Sequence, residues 1–96
     1  MELILRPAAA ADVEEAFSWY ERQRPGLGEE FLEKVNEALR EIAAYPLRQA
    51  VVFRDTRRFL LKRFPYALFY RIYPNLVVVV GCMHGRRNPL RWRQRR

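Results

Sequence analysis

Tyr66-Ala-Leu-Phe-Tyr-Arg-Ile-Tyr73, Pro74-Asn75 and Leu76-Val-Val-Val-Val-Gly-Cys-Met83 decide the fold: an aromatic run and a valine run separated by two turn residues. Aromatic and β-branched side chains fit a pleated surface, and the Pro-Asn pair reverses the chain, so the stretch predicts an antiparallel hairpin. The valine run shows no polar alternation and reads as a buried central strand. Just upstream, residues 50–53 and 57–64 read as two further strands, with turns at Asp55-Thr56 and Phe64-Pro65.

Before Pro46 the period changes to that of a helix. Leu27, Phe31, Val35, Ala38, Leu39 and Ile42 form one apolar stripe, while Glu29, Glu30, Glu33, Glu37 and Glu41 face out. An earlier stripe, Ala9, Val13, Ala16, Phe17 and Tyr20, predicts a helix over 9–24, and Pro25-Gly26 separates the two. So short a break implies an antiparallel helical hairpin. Residues 2–6 form a short apolar run ended by Pro7 and read as an opening strand. The expected architecture is α+β: an N-terminal strand, a helical hairpin, then an antiparallel β-sheet with the helices on one face, all within a single domain spanning 1–96.

Half of the 96 residues are hydrophobic, which argues against disorder. Cys82 is the sole cysteine, so no internal disulfide or cysteine metal cluster is available, and it reads as a small core residue. The chain opens without the basic-then-apolar order of a signal peptide, and its longest strictly apolar run, residues 76–80, is too short to span a bilayer. The expectation is a cytoplasmic protein with no membrane partner.

Charge is segregated. Residues 1–45 hold ten acids and five bases, whereas residues 46–96 hold thirteen bases and one acid, Asp55, for a formal net charge of +7. A split of this kind places a positive field over one part of the molecule and suits an acidic or polyanionic partner. Twelve of those thirteen bases are arginines, which form bidentate contacts with carboxylate or phosphate. Arg57, Arg58, Lys62, Arg63 and Arg71 fall on the predicted strands, and Arg86, Arg87, Arg91, Arg93, Arg95 and Arg96 form the tail around Trp92. The target-binding candidates are Arg58, Lys62, Arg63, Arg71, Arg86, Arg87, Arg91, Trp92 and Arg93. Arg95 and Arg96 read as frayed terminal charges, and Trp92 as either a core-capping ring or a contact residue.

Enzymatic sets are sparse. His84 is the single histidine, no glycine-rich phosphate loop is present, and the sheet half offers no carboxylate pair. No cofactor and no metal are expected.

The sequence resembles the RelE/ParE toxin superfamily, in its ParE-like, plasmid-stabilisation branch. The residues that carry the resemblance are Asp12-Val13-Glu14-Glu15-Ala16, Trp19-Tyr20-Glu21, Leu27-Gly28-Glu29-Glu30-Phe31 and Ala38-Leu39-Arg40-Glu41-Ile42. They continue through Arg58-Phe59-Leu60-Leu61-Lys62-Arg63-Phe64-Pro65-Tyr66-Ala67-Leu68-Phe69-Tyr70 and the ending His84-x-Arg86-Arg87-Asn88-Pro89-x-x-Trp92. The resemblance implies a toxin held inactive by a cognate acidic antitoxin; the assembly expected is a homodimer or a heteromer with that antitoxin. ParE-like members trap DNA gyrase by binding, whereas RelE-like members cleave mRNA on the ribosome. Against the ribonuclease pattern, Arg58 and Arg86 match a lysine and an arginine, but Ala67 replaces an expected base and Trp92 an expected tyrosine. Arg58, Arg86 and His84 are the candidate catalytic residues of the alternative reading, with His84 more simply a hydrogen-bonding strand-end residue. Three functions are therefore expected in order: a gyrase-binding toxin, a ribosome-dependent endoribonuclease, and a non-toxic relative that serves as an antitoxin-binding module.

Overall fold

The computed structural model describes residues 1–85. Strand β1 (Glu2–Leu5) leads into helices α1 (Pro7–Gln23) and α2 (Leu27–Ala44), followed by β2 (Val51–Phe53), β3 (Thr56–Leu60), β4 (Tyr66–Tyr73) and β5 (Leu76–His84). The sheet order is β1-β5-β4-β3-β2. The expected β4–β5 hairpin is present, with Tyr73 opposite Leu76 across the Pro74-Asn75 turn. No described helix is long and apolar enough to cross a membrane.

Two elements depart from the expected boundaries by more than one residue. Helix α1 begins at Pro7, because a proline in the first turn loses no hydrogen bond and already has helical φ. Strand β3 stops at Leu60 instead of Phe64, since Arg63 adopts φ 74, a left-handed conformation that no strand tolerates. Leu61 and Phe64 are buried and fasten this β3–β4 connection to the core.

The sheet is not purely antiparallel. Strand β1 pairs parallel to β5, Glu2 with Leu76 through Leu5 with Val79. Parallel neighbours need a long crossover, and the helical hairpin begins it. A bulge interrupts the β4–β5 ladder: Phe69 faces Gly81 and Tyr70 faces Val79, leaving Val80 as the extra residue. The alternation of faces therefore shifts by one. Val77, Val79 and Cys82 join the core under the helices, while Val78, Val80 and Met83 join a second cluster with Ala67 and Phe69 on the far face.

The helical stripes lie where their spacing put them. Ala9, Ala16 and Tyr20 of α1 and Phe31, Val35, Ala38 and Ile42 of α2 are buried. Their turn is closed by Glu21, whose carboxylate accepts the Gly26 and Gly28 backbone N–H groups at 3.0 and 2.9 Å. An acidic group there satisfies N–H donors that α2 leaves unpaired and faces the positive end of its dipole. Gly26, at φ 90, supplies a left-handed conformation that a side chain would strain. At Gly28 a Cβ would lie 2.8 Å from the Phe17 ring, so the two helices approach here only because the side chain is absent.

Glu30 ties the helical turn to the β3–β4 connection. Its carboxylate accepts from Arg24 at 3.0 Å and pairs with Arg63. The Arg63 hydrogen bond first, then that of Arg24, holds the Glu30 carboxyl below the ordinary carboxylate range. A depressed carboxylate stabilises the fold fully above its unfolded pKa, and the contribution fades as pH falls through the folded value. In thermal melts between pH 6 and pH 3, Glu30→Gln should therefore melt below wild type at pH 6 and converge with it at the acid end. A gap unchanged across the range would mean the charge is not what Glu30 contributes.

Candidate interaction site

Among the described residues, the predicted basic side chains occupy different settings. Arg58 lies on β3 opposite Phe69, on the face away from the helices, and is exposed. Lys62 is exposed in the β3–β4 connection and lines a shallow dent with Lys34, Glu37 and Glu41 of α2. Arg63 is occupied by Glu30 and packs over the Phe64 ring at 5.2 Å.

Arg71 requires a correction. It is only 4% exposed, with Nε donating to Thr56 Oγ1 at 3.0 Å and facing Asp55 Oδ1 at 3.2 Å. It sits on β4, an interior strand, between Thr56 on β3 and its cross-strand partner Val78 on β5. A buried guanidinium must be hydrogen-bonded within the protein, so Arg71 holds the sheet together and offers no charge to a partner. Arg57 is also engaged, donating to the Gln49 carbonyl at 2.5 Å. The remaining candidates, Arg86, Arg87, Arg91, Trp92 and Arg93, lie outside the described residues.

His84 ends β5 on the helix side of the sheet, where its ring meets the edge of Tyr66 at 5.6 Å. The two residues flank a cleft of about 460 Å³ whose other walls are Glu15, Trp19 and Arg22 of α1 and Pro65. Trp19 is 48% exposed at its mouth, braced edge-on against Tyr20 at 5.2 Å. Burial raises the Tyr20 phenol pKa, so this hydroxyl stays protonated. Below the cleft, a smaller recess is lined by Asp12, Glu15, Tyr66, Cys82 and His84. Asp12 Oδ2 accepts the Cys82 backbone N–H at 3.0 Å. The Cys82 thiol is buried and pushed up to about 12, first by burial and then by the Asp12 carboxylate, so it is an inert core group as its position suggested.

Sequence reasoning did not single out this cleft. Asp12, Glu15, Trp19 and Arg22 fall at i, i+3, i+7 and i+10 on α1, a stripe beside the apolar one, and that spacing was the available signal. What spacing could not supply was the bulge that turns Cys82 and His84 toward α1.

The geometry bears on chemistry. Arg58 and His84 stand on opposite faces of the sheet, so the described residues do not assemble them into one acid–base set. Ala67, where a ribonuclease of this type would carry a base, is fully buried in the far cluster. Among the described residues, no group of three or more histidine, cysteine or carboxylate side chains is placed to hold a metal.

Comparison with known proteins agrees with this architecture. A chain described as "Chromosomal ParDE TA system from P. aeruginosa" superposes with a TM-score of 0.67 at 17% identity, covering 88% of this chain and 95% of that one. No curated protein matches the sequence. The sequence model of the family described as "ParE toxin of type II toxin-antitoxin system, parDE" matches residues 3–89. With that match running over nearly its whole length, the chain belongs to the ParE toxin family of type II toxin–antitoxin systems.

Proposed function

We propose that the protein is a toxin that inhibits DNA gyrase by binding it through the basic C-terminal half, and that a cognate acidic antitoxin holds it inactive. The observation that carries this reading is the failure of Arg58 and His84 to converge, with a buried Ala67 at the position where RNA cleavage would need a base. Cleavage by 2′-hydroxyl attack requires a proton acceptor, a proton donor and a cation for the phosphate within reach of one another. The described residues do not bring such a set together, and exposed arginines without it are suited to docking. Purified protein added to gyrase and relaxed plasmid should stop supercoiling and cause cleaved DNA to accumulate. Normal supercoiling at saturating protein refutes the reading.

Ribosome-dependent mRNA cleavage is the second reading, and one observation favours it: α1 brings Glu15 to the cleft that His84 lines. It predicts codon-linked transcript breaks on induction. Intact transcripts during growth arrest exclude it.

A further inference from the structure

The connection between α2 and β2 combines a fixed backbone with exposed apolar side chains. It is pinned from beneath by side chains of the sheet. The Tyr70 hydroxyl donates to the Pro46 carbonyl at 2.7 Å, and Arg57 Nη1 donates to the carbonyls of Gln49 at 2.5 Å and Leu47 at 3.4 Å. The Arg48 N–H closes back on the Tyr45 carbonyl at 3.1 Å. Burial raises the Tyr70 pKa, so its hydroxyl keeps the proton it donates.

On this fixed backbone three large outward side chains are apolar. Tyr45 is 57% exposed, Leu47 72% and Val51 47%, with the Arg48 guanidinium stacked over the Tyr45 ring at 4.3 Å. Exposed apolar groups gathered at one place mark interaction surfaces, whereas scattered ones need no explanation. A loop already held in one conformation loses little entropy on binding, so the contact energy of its side chains appears as affinity.

We propose that the loop from Tyr45 to Val51 is a preorganised knob that docks into an apolar, acid-rimmed pocket on the folded protein the toxin inhibits. This rests on the reading above, that the protein acts by binding a protein target. The shape argues for a folded partner, because a leucine with 72% exposure stands proud and is buried only by a concave surface, which an extended tail does not offer. The charge argues for an acidic rim. Arg48 lies within the loop and Arg54 just beyond it, both exposed, while no acid lies between Tyr45 and Arg54. Tyrosine and arginine, stacked here as Tyr45 and Arg48, are residue types enriched in binding hot spots.

The test uses the full chain carrying Leu47→Asp or Tyr45→Ala. Both side chains are exposed and donate no hydrogen bond to the fold, so unchanged thermal melts confirm folded variants. Growth arrest on induction and inhibition of purified gyrase are measured in parallel, with a fluorescent single-stranded 20-mer RNA as a nucleic-acid probe. Support is arrest abolished, or at least tenfold more variant needed for half-inhibition, at wild-type melting temperature. Both variants arresting growth like wild type overturns the proposal, as does a defect confined to RNA binding. If the wild type arrests growth without affecting supercoiling, the gyrase reading fails, and growth arrest alone still decides the role of the loop. A wild type that arrests nothing sinks both.

Discussion

Phe31→Ala is expected to cost about 3–5 kcal/mol, a large part of the roughly 5–15 kcal/mol that holds a domain of this size together. Phe31 is fully buried on α2, and three other rings close around it. Its centroid lies 5.2 Å from Tyr20 on α1, 5.4 Å from Phe64 in the β3–β4 connection and 5.4 Å from Tyr66 on β4. Truncation removes edge-to-face contacts and leaves a hole that three rings from different elements cannot close together. Urea melts monitored by far-ultraviolet circular dichroism should show the loss as a lower midpoint, and Phe31→Leu should restore much of it. A loss below about 1 kcal/mol would mean the rings collapse inward freely, against the cavity argument. The same variant bears on function, since Tyr66 also forms a wall of the His84 cleft. Loosening this ring cluster should blur the cleft before the protein unfolds globally.

The charge split was legible in the sequence, but its use was not. Counting arginines after Pro46 suggested a broad docking surface. The structure instead diverts Arg57 to loop carbonyls, Arg63 to Glu30 and Arg71 to Thr56 and Asp55. A guanidinium has five donors and a long stem, so it satisfies distant acceptors that no local spacing reveals. The helical stripes and the Tyr66–Met83 hairpin were legible because each follows a single local period. Neither the parallel pairing of β1 nor the Val80 bulge has a local signature, and together they determine what surrounds His84. The loop at Tyr45–Val51 was equally hidden. Its sequence looks like an ordinary connection after a helix, and the backbone is fixed by residues far along the chain, Arg57 and Tyr70, the latter twenty-four residues beyond Pro46.

Asp12→Ala should have the next largest effect, about 1–3 kcal/mol, for a reason that begins with the sheet edge. Strand β1 covers β5 only as far as Val79, where the Arg6 N–H makes the last contact at 3.0 Å. Beyond that point no strand among the described residues lies along this edge of β5, yet Cys82 is only 2% exposed. A buried N–H must find an acceptor, and the second turn of α1 provides the Asp12 carboxylate at 3.0 Å. The side chain thus stands in for a strand, and it anchors α1 to β5 where the two form the recess below His84. Alanine leaves the donor buried and unpaired, whereas Asn keeps an acceptor oxygen of the same reach and should recover most of the loss. Amide hydrogen exchange separates this from a general weakening. In Asp12→Ala the Cys82 amide should lose protection by a larger factor than Val77 or Val79, which β1 still flanks. Equal loss at all three amides would place the role of Asp12 elsewhere, in the helix and not in the edge it covers.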